Sequence, residues 1–353
     1  MARKLMKGNE AIAESAVRAG CRGFFGYPIT PQNEIPEYMS KRQPEVGGVF
    51  VQAESEVAAI NMVYGAAAAG CRAMTSSSSP GISLKQEGIS YIAASDVPCV
   101  IVNIVRAGPG LGGIQPAQGD YFQAVKGGGH GDYKLIVYAP STLQEACDLV
   151  YKAFDKADEY RMPVMMIGDG MIGQMMEPVE LPEMRELSDL PEKPWCLRGY
   201  DGTGERRIIN SLRIQPDELE PYLDEMYRKY AAIEEKEVEV EEYCCEDAEI
   251  ILTAYGTVAR ICKSAIELLR AQGVKVGLIR PITLFPFPKK SFEQYASRES
   301  VKRFISVELS MGQMIEDVKL AVNGKKPVDF YGRSGGNVMS EEEIANYVLG
   351  GNR

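Results

Sequence analysis

The sequence predicts an α/β protein with two open, mostly parallel sheets. Three observations carry this. Apolar stretches of strand length alternate with segments of helical period, the pattern of βα units. Those strands are continuously apolar rather than alternating, as in PCVIVNIV (98–105), so both faces of the sheet should be covered. The chain has 353 residues, and at roughly 100–200 residues per domain it is long enough for two or three cores.

In order, residues 8–19 read as a helix ending at Gly20, followed by a buried strand through Phe25. Thr30 and Pro31 read as the N-cap and first turn of a helix over 31–42. A strand at 48–53 leads to an Ala-rich helix from Glu56 to Ala69, closed by Gly70. A strand at 72–75, a turn of capping hydroxyls at Ser76–Ser79 and a helix over 82–94 follow. After the strand 98–105 come strands at 133–139 and 163–167, with a helix over 141–158 between them. We divide the chain into a first domain over 1–185, an interdomain excursion over 186–246 and a second domain over 247–353. The second domain should contain strands at 248–255, 275–279, 303–308 and 327–331 and helices at 257–272 and 311–322.

Composition excludes several functions. The net charge is −10, with no long basic run, so nucleic acid is a poor partner. No apolar run reaches the roughly 18 residues of a membrane span. The N-terminus lacks the apolar core of a signal peptide, so a cytoplasmic location is expected. One His cannot supply a multi-His metal site, and the 8 Cys show no C-x-x-C, so no metal site is expected in this chain. The cysteines read as reduced core residues. The charge is local: residues 217–247 hold 13 Asp/Glu against 3 Lys/Arg, and the remainder has 36 of each sign. This run reads as a solvated helix face between the domains, or more weakly as a docking surface for a basic partner.

Candidate chemistry begins with Glu56. A carboxylate opening an apolar helix after an apolar strand can be a desolvated proton exchanger or simply an anion favoured by the helix dipole. Thr30, in Tyr27-Pro28-Ile29-Thr30-Pro31, lies beyond a strand's carboxyl end, where open α/β sheets bind ligands; a plain N-cap is the other reading. Arg106 ends the strongest strand and could clamp a carboxylate or form a surface ion pair. The glycines Gly108, Gly110 and Gly113 fit G-x-G-x-x-G, but Pro109 and Pro116 flank them and no helix follows, so a mobile loop closing over a ligand is preferred to a dinucleotide site. His130 sits in a Gly-rich loop and could reach a substrate or be uninvolved. Gly168-Asp169-Gly170 opens like the metal–diphosphate motif of thiamine enzymes. The required Asn pair is missing, since no Asn occurs between Asp169 and Asn210.

Together, GYPITP (26–31), QAESEVAAINMVYGA (52–66), TSSSSPGISLKQEG (75–88), VNIVRAGPG (102–110), GGHGD (128–132), AYGTVAR (254–260) and RPITLFPFP (280–288) resemble the α subunit of the 2-oxoacid:ferredoxin oxidoreductases. The resemblance implies a thiamine-diphosphate pyrimidine-binding domain followed by a transketolase-C-terminal-like domain. It implies oxidative decarboxylation of a 2-oxoacid, with the acyl group passing to coenzyme A and electrons to ferredoxin. Glu56 falls on the family's glutamate toward N1′ of the aminopyrimidine, and Thr30 and Arg106 fall on its substrate-carboxylate residues. Tyr27, Ile29, Gly110 and His130 are weaker site candidates. The wording of QAESEVAAI and SSSSPGISLKQEG is most like the branched-chain members, which act on 3-methyl-2-oxobutanoate. The family's diphosphate/Mg²⁺ domain and cluster cysteines have no counterpart here. The resemblance therefore implies a β subunit with the diphosphate-binding domain, a ferredoxin-like iron–sulfur subunit and a γ subunit, with the cofactor shared across an interface. A non-catalytic scaffold subunit and a transketolase-type component are the alternatives.

Overall fold

The computed structural model describes residues 3–351 apart from 201, 203 and 205. Those three positions of the polar segment RGYDGTGERR therefore lie outside the described residues. The main sheet has seven strands in the order Thr283–Phe285, Ile136–Tyr138, Pro163–Asp169, Cys99–Val105, Ala73–Ser77, Gly23–Gly26 and Val49–Gln52. All neighbours are parallel except the first pair. Cys99–Val105 and Pro163–Asp169 pair over seven residues, and every residue of both is buried, as their unbroken apolar runs predict. Helices cover the sheet in packed sets: Gly8–Arg18 with Leu143–Tyr160, and Glu56–Ala68 with Pro80–Ala94.

A second sheet of five strands runs Val328–Gly332, Arg303–Glu308, Ile250–Thr253, Val276–Pro281 and Val240–Tyr243. It is parallel except for Val240–Tyr243 at its edge. The α/β class with two open, mostly parallel sheets is thus observed. Short strands with weak patterns are additions to the reading above: Lys4–Lys7 paired with Met176–Val179, Val240–Tyr243, and Thr283–Phe285.

Thr283–Phe285 comes from the C-terminal half yet extends the first sheet, so the two halves are joined by backbone pairing. Beside it, buried Arg280 forks onto both oxygens of Glu145 at 3.0 and 2.6 Å and reaches Glu241 at 2.6 Å. Gln118, also buried, donates to the Tyr255 carbonyl and exchanges hydrogen bonds with the backbone of Leu309. These contacts fix the loop 107–120 of the first sheet against the second.

The acidic run forms the helix Pro216–Lys236, which buries a narrow stripe of Met226, Tyr230 and Ile233 at i, i+4 and i+7. The expected solvated face is present: Asp217, Glu218, Glu220, Asp224, Glu225, Glu234 and Glu235 are all exposed. Glu234, Glu237, Glu239, Glu241 and Asp247 pair with Lys289, Lys156, Lys152, Lys263 (with Arg280) and Arg270, all outside 217–247. The segment's excess charge is therefore partly neutralised by cations of the remaining chain. All eight cysteines are free, and six are buried. No helix of the described residues is long and apolar enough to cross a membrane.

Candidate active site

The site lies beyond the carboxyl ends of the central parallel strands. Ser55 caps the helix Glu56–Ala68, its hydroxyl accepting from the Ala58 amide at 3.2 Å. Capping is thus done by the residue before Glu56, and the Glu56 side chain turns inward, 7% exposed. It rests against the first turn of the helix Pro80–Ala94: a Cβ on Gly81 would stand 2.9 Å from Glu56 Oε1 and 2.0 Å from Ser77 Oγ. Among the described residues the Glu56 carboxylate has no hydrogen-bond partner, while the helix N-terminus beside it favours an anion. Glu54, by contrast, is exposed.

The serine run is not a turn of capping hydroxyls. Ser76 and Ser77 continue the strand Ala73–Ser77, and Ser76, Ser77 and Ser78 are fully buried. Ser76 donates to Gln32 Oε1 at 2.5 Å, whereas the hydroxyls of Thr75, Ser77 and Ser78 are buried without a partner. Leaving buried hydroxyls unpaired costs on the order of 1–3 kcal/mol each. Such a cost is tolerated where a ligand or water completes the bonding.

Arg106 is 7% exposed. Its Nη1 donates to the Thr30 carbonyl and its Nη2 to the Leu111 carbonyl, both at 3.0 Å, and Nε is buried without a partner. A guanidinium has five N–H donors, so these bonds leave three available. Behind it, Ser79 Oγ bridges the Arg106 amide and carbonyl, the Ser79 amide donates to Asn103, and Asn103 donates to Asp120. Burial pushes the Asp120 carboxyl up, against hydrogen bonds from Asn103 and Ser79.

Thr30 does not cap a helix. The helix begins at Glu34, because the Thr30 carbonyl is held by Arg106 and the Pro31 carbonyl by Asn9 and Gln174. Thr30 instead lines a cleft of about 630 Å³ with Pro31, Glu34, Ile114, Pro116, Met171 and Met175 among its walls. Tyr27 and Ile29 are half-buried in the connection leading to it, their carbonyls accepting from Gln32. The structure thus joins Thr30 and Arg106 directly, and Ser79 links them to the turn that receives Glu56.

The Gly-rich loop is tied rather than free at its base. Ala107 exchanges backbone bonds with Gln115 and Gly113, and Arg106 bridges Pro116. Gly110, in a left-handed conformation at φ +68°, is exposed at the tip. His130 is not part of the constellation. Its loop packs on Gln86 and Ser90, and the His130 carbonyl accepts from Ser90 at 2.6 Å, about 15 Å along the helix from Pro80. Asp169 is a buried helix cap, accepting from the Met171 and Ile172 amides.

Sequence reasoning missed Lys85. It is fully buried beside this site, its Nζ donates to the Ser76 carbonyl at 3.4 Å, and burial pushes the ammonium down to about 8 against the opposing pull of Glu56. A signal existed: Lys85 and Gln86 fall on the apolar stripe set by Ile82, Ile89, Ile92 and Ala93.

Residues 14–242 match the family described as pyruvate flavodoxin/ferredoxin oxidoreductase, thiamine-diphosphate-binding, and residues 248–344 match pyruvate:ferredoxin oxidoreductase core domain II. The chain belongs to this family. It is 53% identical to the ketoisovalerate oxidoreductase subunit VorB of Methanothermobacter marburgensis, covering 99% of this chain and 97% of that one. It is 35% identical to the 2-oxoglutarate synthase subunit KorA of the same organism, covering 98% of each. Among solved structures it resembles the 2-oxoglutarate:ferredoxin oxidoreductase of Magnetococcus marinus with 2-oxoglutarate, coenzyme A and succinyl-CoA bound, at TM-score 0.85 and 25% identity. That match covers 99% of this chain and 65% of the other. A split-gene transketolase, at TM-score 0.58 and 12% identity, shares the fold.

The first domain is accordingly a thiamine-diphosphate-binding domain. An unpartnered buried carboxylate, the unpaired hydroxyls of Thr75, Ser77 and Ser78, and Gly81, which lets Glu56 and Ser77 approach the helix backbone, form a polar cradle beside it. Among the described residues no cluster of His, Cys, Asp or Glu could hold a metal ion.

Proposed function

We propose that this chain is the pyrimidine-binding subunit of a branched-chain 2-oxoacid:ferredoxin oxidoreductase. The complex would convert acids such as 3-methyl-2-oxobutanoate to acyl-CoA and carbon dioxide, with electrons passing to ferredoxin. The observation that carries this reading is the convergence of inward-turned Glu56, the Gly81 turn, and Arg106 hydrogen-bonded to Thr30. When bound, thiamine diphosphate supplies a carbon nucleophile and an electron sink for decarboxylation. Glu56 holds or donates a proton toward N1′ of the aminopyrimidine, work suited to a buried carboxylate. Arg106, with three N–H donors to offer, and Thr30 bind and orient the 2-oxoacid carboxylate.

The cleft beside Thr30 favours an apolar substrate side chain. Ile114, Met171 and Met175 line it, and the one carboxylate among its walls, Glu34, is already paired with Lys7 at 2.8 Å, so among the described residues no free cation is offered there to a second carboxylate such as that of 2-oxoglutarate. The named ketoisovalerate activity of the 53% identical relative supports the same choice.

A β subunit would bring the diphosphate and Mg²⁺ site, and a ferredoxin-like subunit and a γ subunit the iron–sulfur clusters and the remainder of the assembly. Supporting this, Glu56–Ala68 is apolar nearly all round, yet Val57 is 44% exposed and a Cβ on Gly65 would meet open space. Leu84 and Tyr91 on the adjoining helix are also exposed. We assign the pyrimidine-binding unit to 1–185, the excursion to 186–246 and the transketolase-C-terminal-like unit to 247–353.

The deciding experiment is Glu56→Gln in the assembled complex. Turnover should fall by at least about 100-fold, as for loss of a general acid–base, with assembly unchanged. Near-normal turnover would remove Glu56 from this role and favour a scaffold subunit.

A further inference from the structure

The turn that carries Thr30 is tied twice, and the reading above uses only one of the ties. The Thr30 carbonyl accepts from Arg106. The next carbonyl, that of Pro31, accepts from Asn9 Nδ2 at 2.8 Å and from Gln174 Nε2 at 2.9 Å. Both amides also reach Glu34 Oε2, at 2.7 and 3.0 Å, and Lys7 Nζ holds Glu34 Oε1 at 2.8 Å. Burial pushes the Glu34 carboxyl up, but hydrogen bonds led by those of Lys7 and Asn9 outweigh it and hold the group below its usual range. Glu34 therefore remains a charged acceptor for both amides.

Asn9 and Gln174 are not equivalent. Gln174 is exposed and lines the cleft, so water competes for its bonds. Asn9 is fully buried behind Pro31 and Glu34. Close packing seats it there. A Cβ on Gly8 would stand 1.8 Å from the Ile172 carbonyl oxygen, and the Gly8 amide donates to the Met175 carbonyl at 3.0 Å. The start of the helix Gly8–Arg18 thus lies directly against the short helix Gly170–Gln174. A Cβ on Gly173 would stand 2.7 Å from Asn9 Oδ1, so glycine there leaves room for the amide. Two acceptors on one side fix its orientation, with the NH₂ toward Pro31 and Glu34. Its bonds duplicate those of Gln174 while its Oδ1 is buried without a partner, so satisfying Pro31 and Glu34 alone does not require it.

What the second tie adds is a fixed Thr30 carbonyl. Arg106 is anchored on two carbonyls, those of Thr30 and Leu111. Leu111 is 83% exposed in the Gly-rich loop and is the looser anchor. Thr30 is the firm one as long as its turn cannot rotate. Consecutive carbonyls held from two elements, Thr30 by the arginine after the strand Cys99–Val105 and Pro31 by the helix Gly8–Arg18, prevent that rotation.

We propose that Asn9 is a positioning residue for 2-oxoacid binding: its buried amide locks the Thr30-Pro31 turn, so that Arg106 stays anchored on the Thr30 carbonyl with its remaining N–H donors presented to the substrate carboxylate. This role rests on the reading of Thr30 and Arg106 as the carboxylate site. Asn9 acts through the turn and does not touch the substrate. Loosening the turn weakens a contact that the ground state and the transition state share, so KM rises while kcat holds. Glu56 and the Gly81 turn are outside this set of bonds, so cofactor affinity should hold as well.

The test measures 2-oxoacid-dependent turnover and thiamine diphosphate affinity in assembled complexes carrying Asn9→Ala, Arg106→Lys or both. Asn9→Ala should raise KM for the 2-oxoacid about tenfold, the scale of one hydrogen bond's net worth, with kcat and cofactor Kd unchanged. In the Arg106→Lys background the fork is already lost, so adding Asn9→Ala should raise KM by less than about twofold. Should Asn9→Ala fail to assemble, Asn9→Asp makes the same comparison at nearly equal size, because it replaces the donating NH₂ by an acceptor. An unchanged KM in the Asn9 variant overturns the proposal. So does a KM rise that is just as large in the Arg106→Lys background, or a loss of kcat and cofactor affinity at constant KM, which marks a merely structural residue. If Arg106→Lys itself leaves KM unaltered, the carboxylate reading falls and the role of Asn9 with it; a raised KM there with an unmoved one in Asn9→Ala removes Asn9 alone.

Discussion

Adding one methyl group at Gly81 tests whether the Glu56 carboxylate is where this fold places it. Gly81 is helical with an ordinary φ, so alanine meets no backbone penalty there and gains roughly 1 kcal/mol of helix propensity. Its Cβ, however, would stand 2.0 Å from Ser77 Oγ and within 2.9–3.0 Å of Glu56 Oε1 and Cγ. Ser77 is fully buried on a central strand and has little room to move. The Glu56 end is a flexible carboxylate and moves more readily. Overpacking of this kind costs about 1–3 kcal/mol, so Gly81→Ala should be destabilised by about 0–2 kcal/mol net of propensity. The functional cost should be larger, because displacing a reacting group by about 1 Å can reduce rate by about 100-fold.

The assay is 2-oxoacid-dependent acyl-CoA formation with ferredoxin or a dye as acceptor, together with thiamine diphosphate affinity and chemical unfolding. Gly119→Ala, where the added Cβ has no neighbour within 4 Å, is the control. Adding Ser77→Ala to Gly81→Ala removes the 2.0 Å contact but leaves the Glu56 contact. Stability should therefore return while activity stays low. Full activity and cofactor affinity in Gly81→Ala would refute the placement of Glu56 against this turn.

Two further outcomes follow from the same geometry. Arg106→Lys keeps a charge but loses the planar fork that spans the Thr30 and Leu111 carbonyls, so KM for the 2-oxoacid should rise about 10- to 100-fold with cofactor affinity unchanged; an unaltered KM would free Arg106 of substrate binding. Arg280→Met should destabilise the junction of the two sheets by about 2 kcal/mol or more, less than a fully buried pair because Glu145 and Glu241 are each 31% exposed. Burial pushes the Glu145 carboxyl up, but the hydrogen bonds and charge of Arg280 outweigh it and hold the group below its ordinary value. The pair's stabilisation is thus complete above the unfolded value of about 4.3 and is lost as pH falls through the lower folded value. Unfolding midpoints of wild type and Arg280→Met should converge below about pH 4; a gap that widens in acid would contradict this.

Most of the architecture was readable because burial on both faces forces long apolar runs. Cys99–Val105 and Pro163–Asp169 were visible for that reason, and the Ala-rich helix from Glu56 was visible through its period and its closing Gly70. Strands whose existence depends on a distant partner were not visible. Thr283–Phe285 is three residues long, and nothing local says it will add to the edge of a sheet built more than a hundred residues earlier. The serines at 76–79 have turn-like composition, yet tertiary burial draws two of them into a strand.

For the proposed site, the sequence determined the candidate identities: a carboxylate opening an apolar helix, a threonine beyond a strand, an arginine ending one. Those features are local, because strand ends and helix starts define where open sheets bind ligands. Only the tertiary structure decided which way each side chain faces. Ser55 takes the cap and turns Glu56 inward, Arg106 holds the Thr30 carbonyl and moves the helix start to Glu34, and packing on Gln86 and Ser90 places His130 elsewhere. The acidity of 217–247 was likewise plain in composition, but its pairing with Lys152, Lys156, Lys263 and Arg280 depends on which surfaces the fold brings together. Residue type and spacing fix what a side chain can do, while long-range packing fixes what it meets.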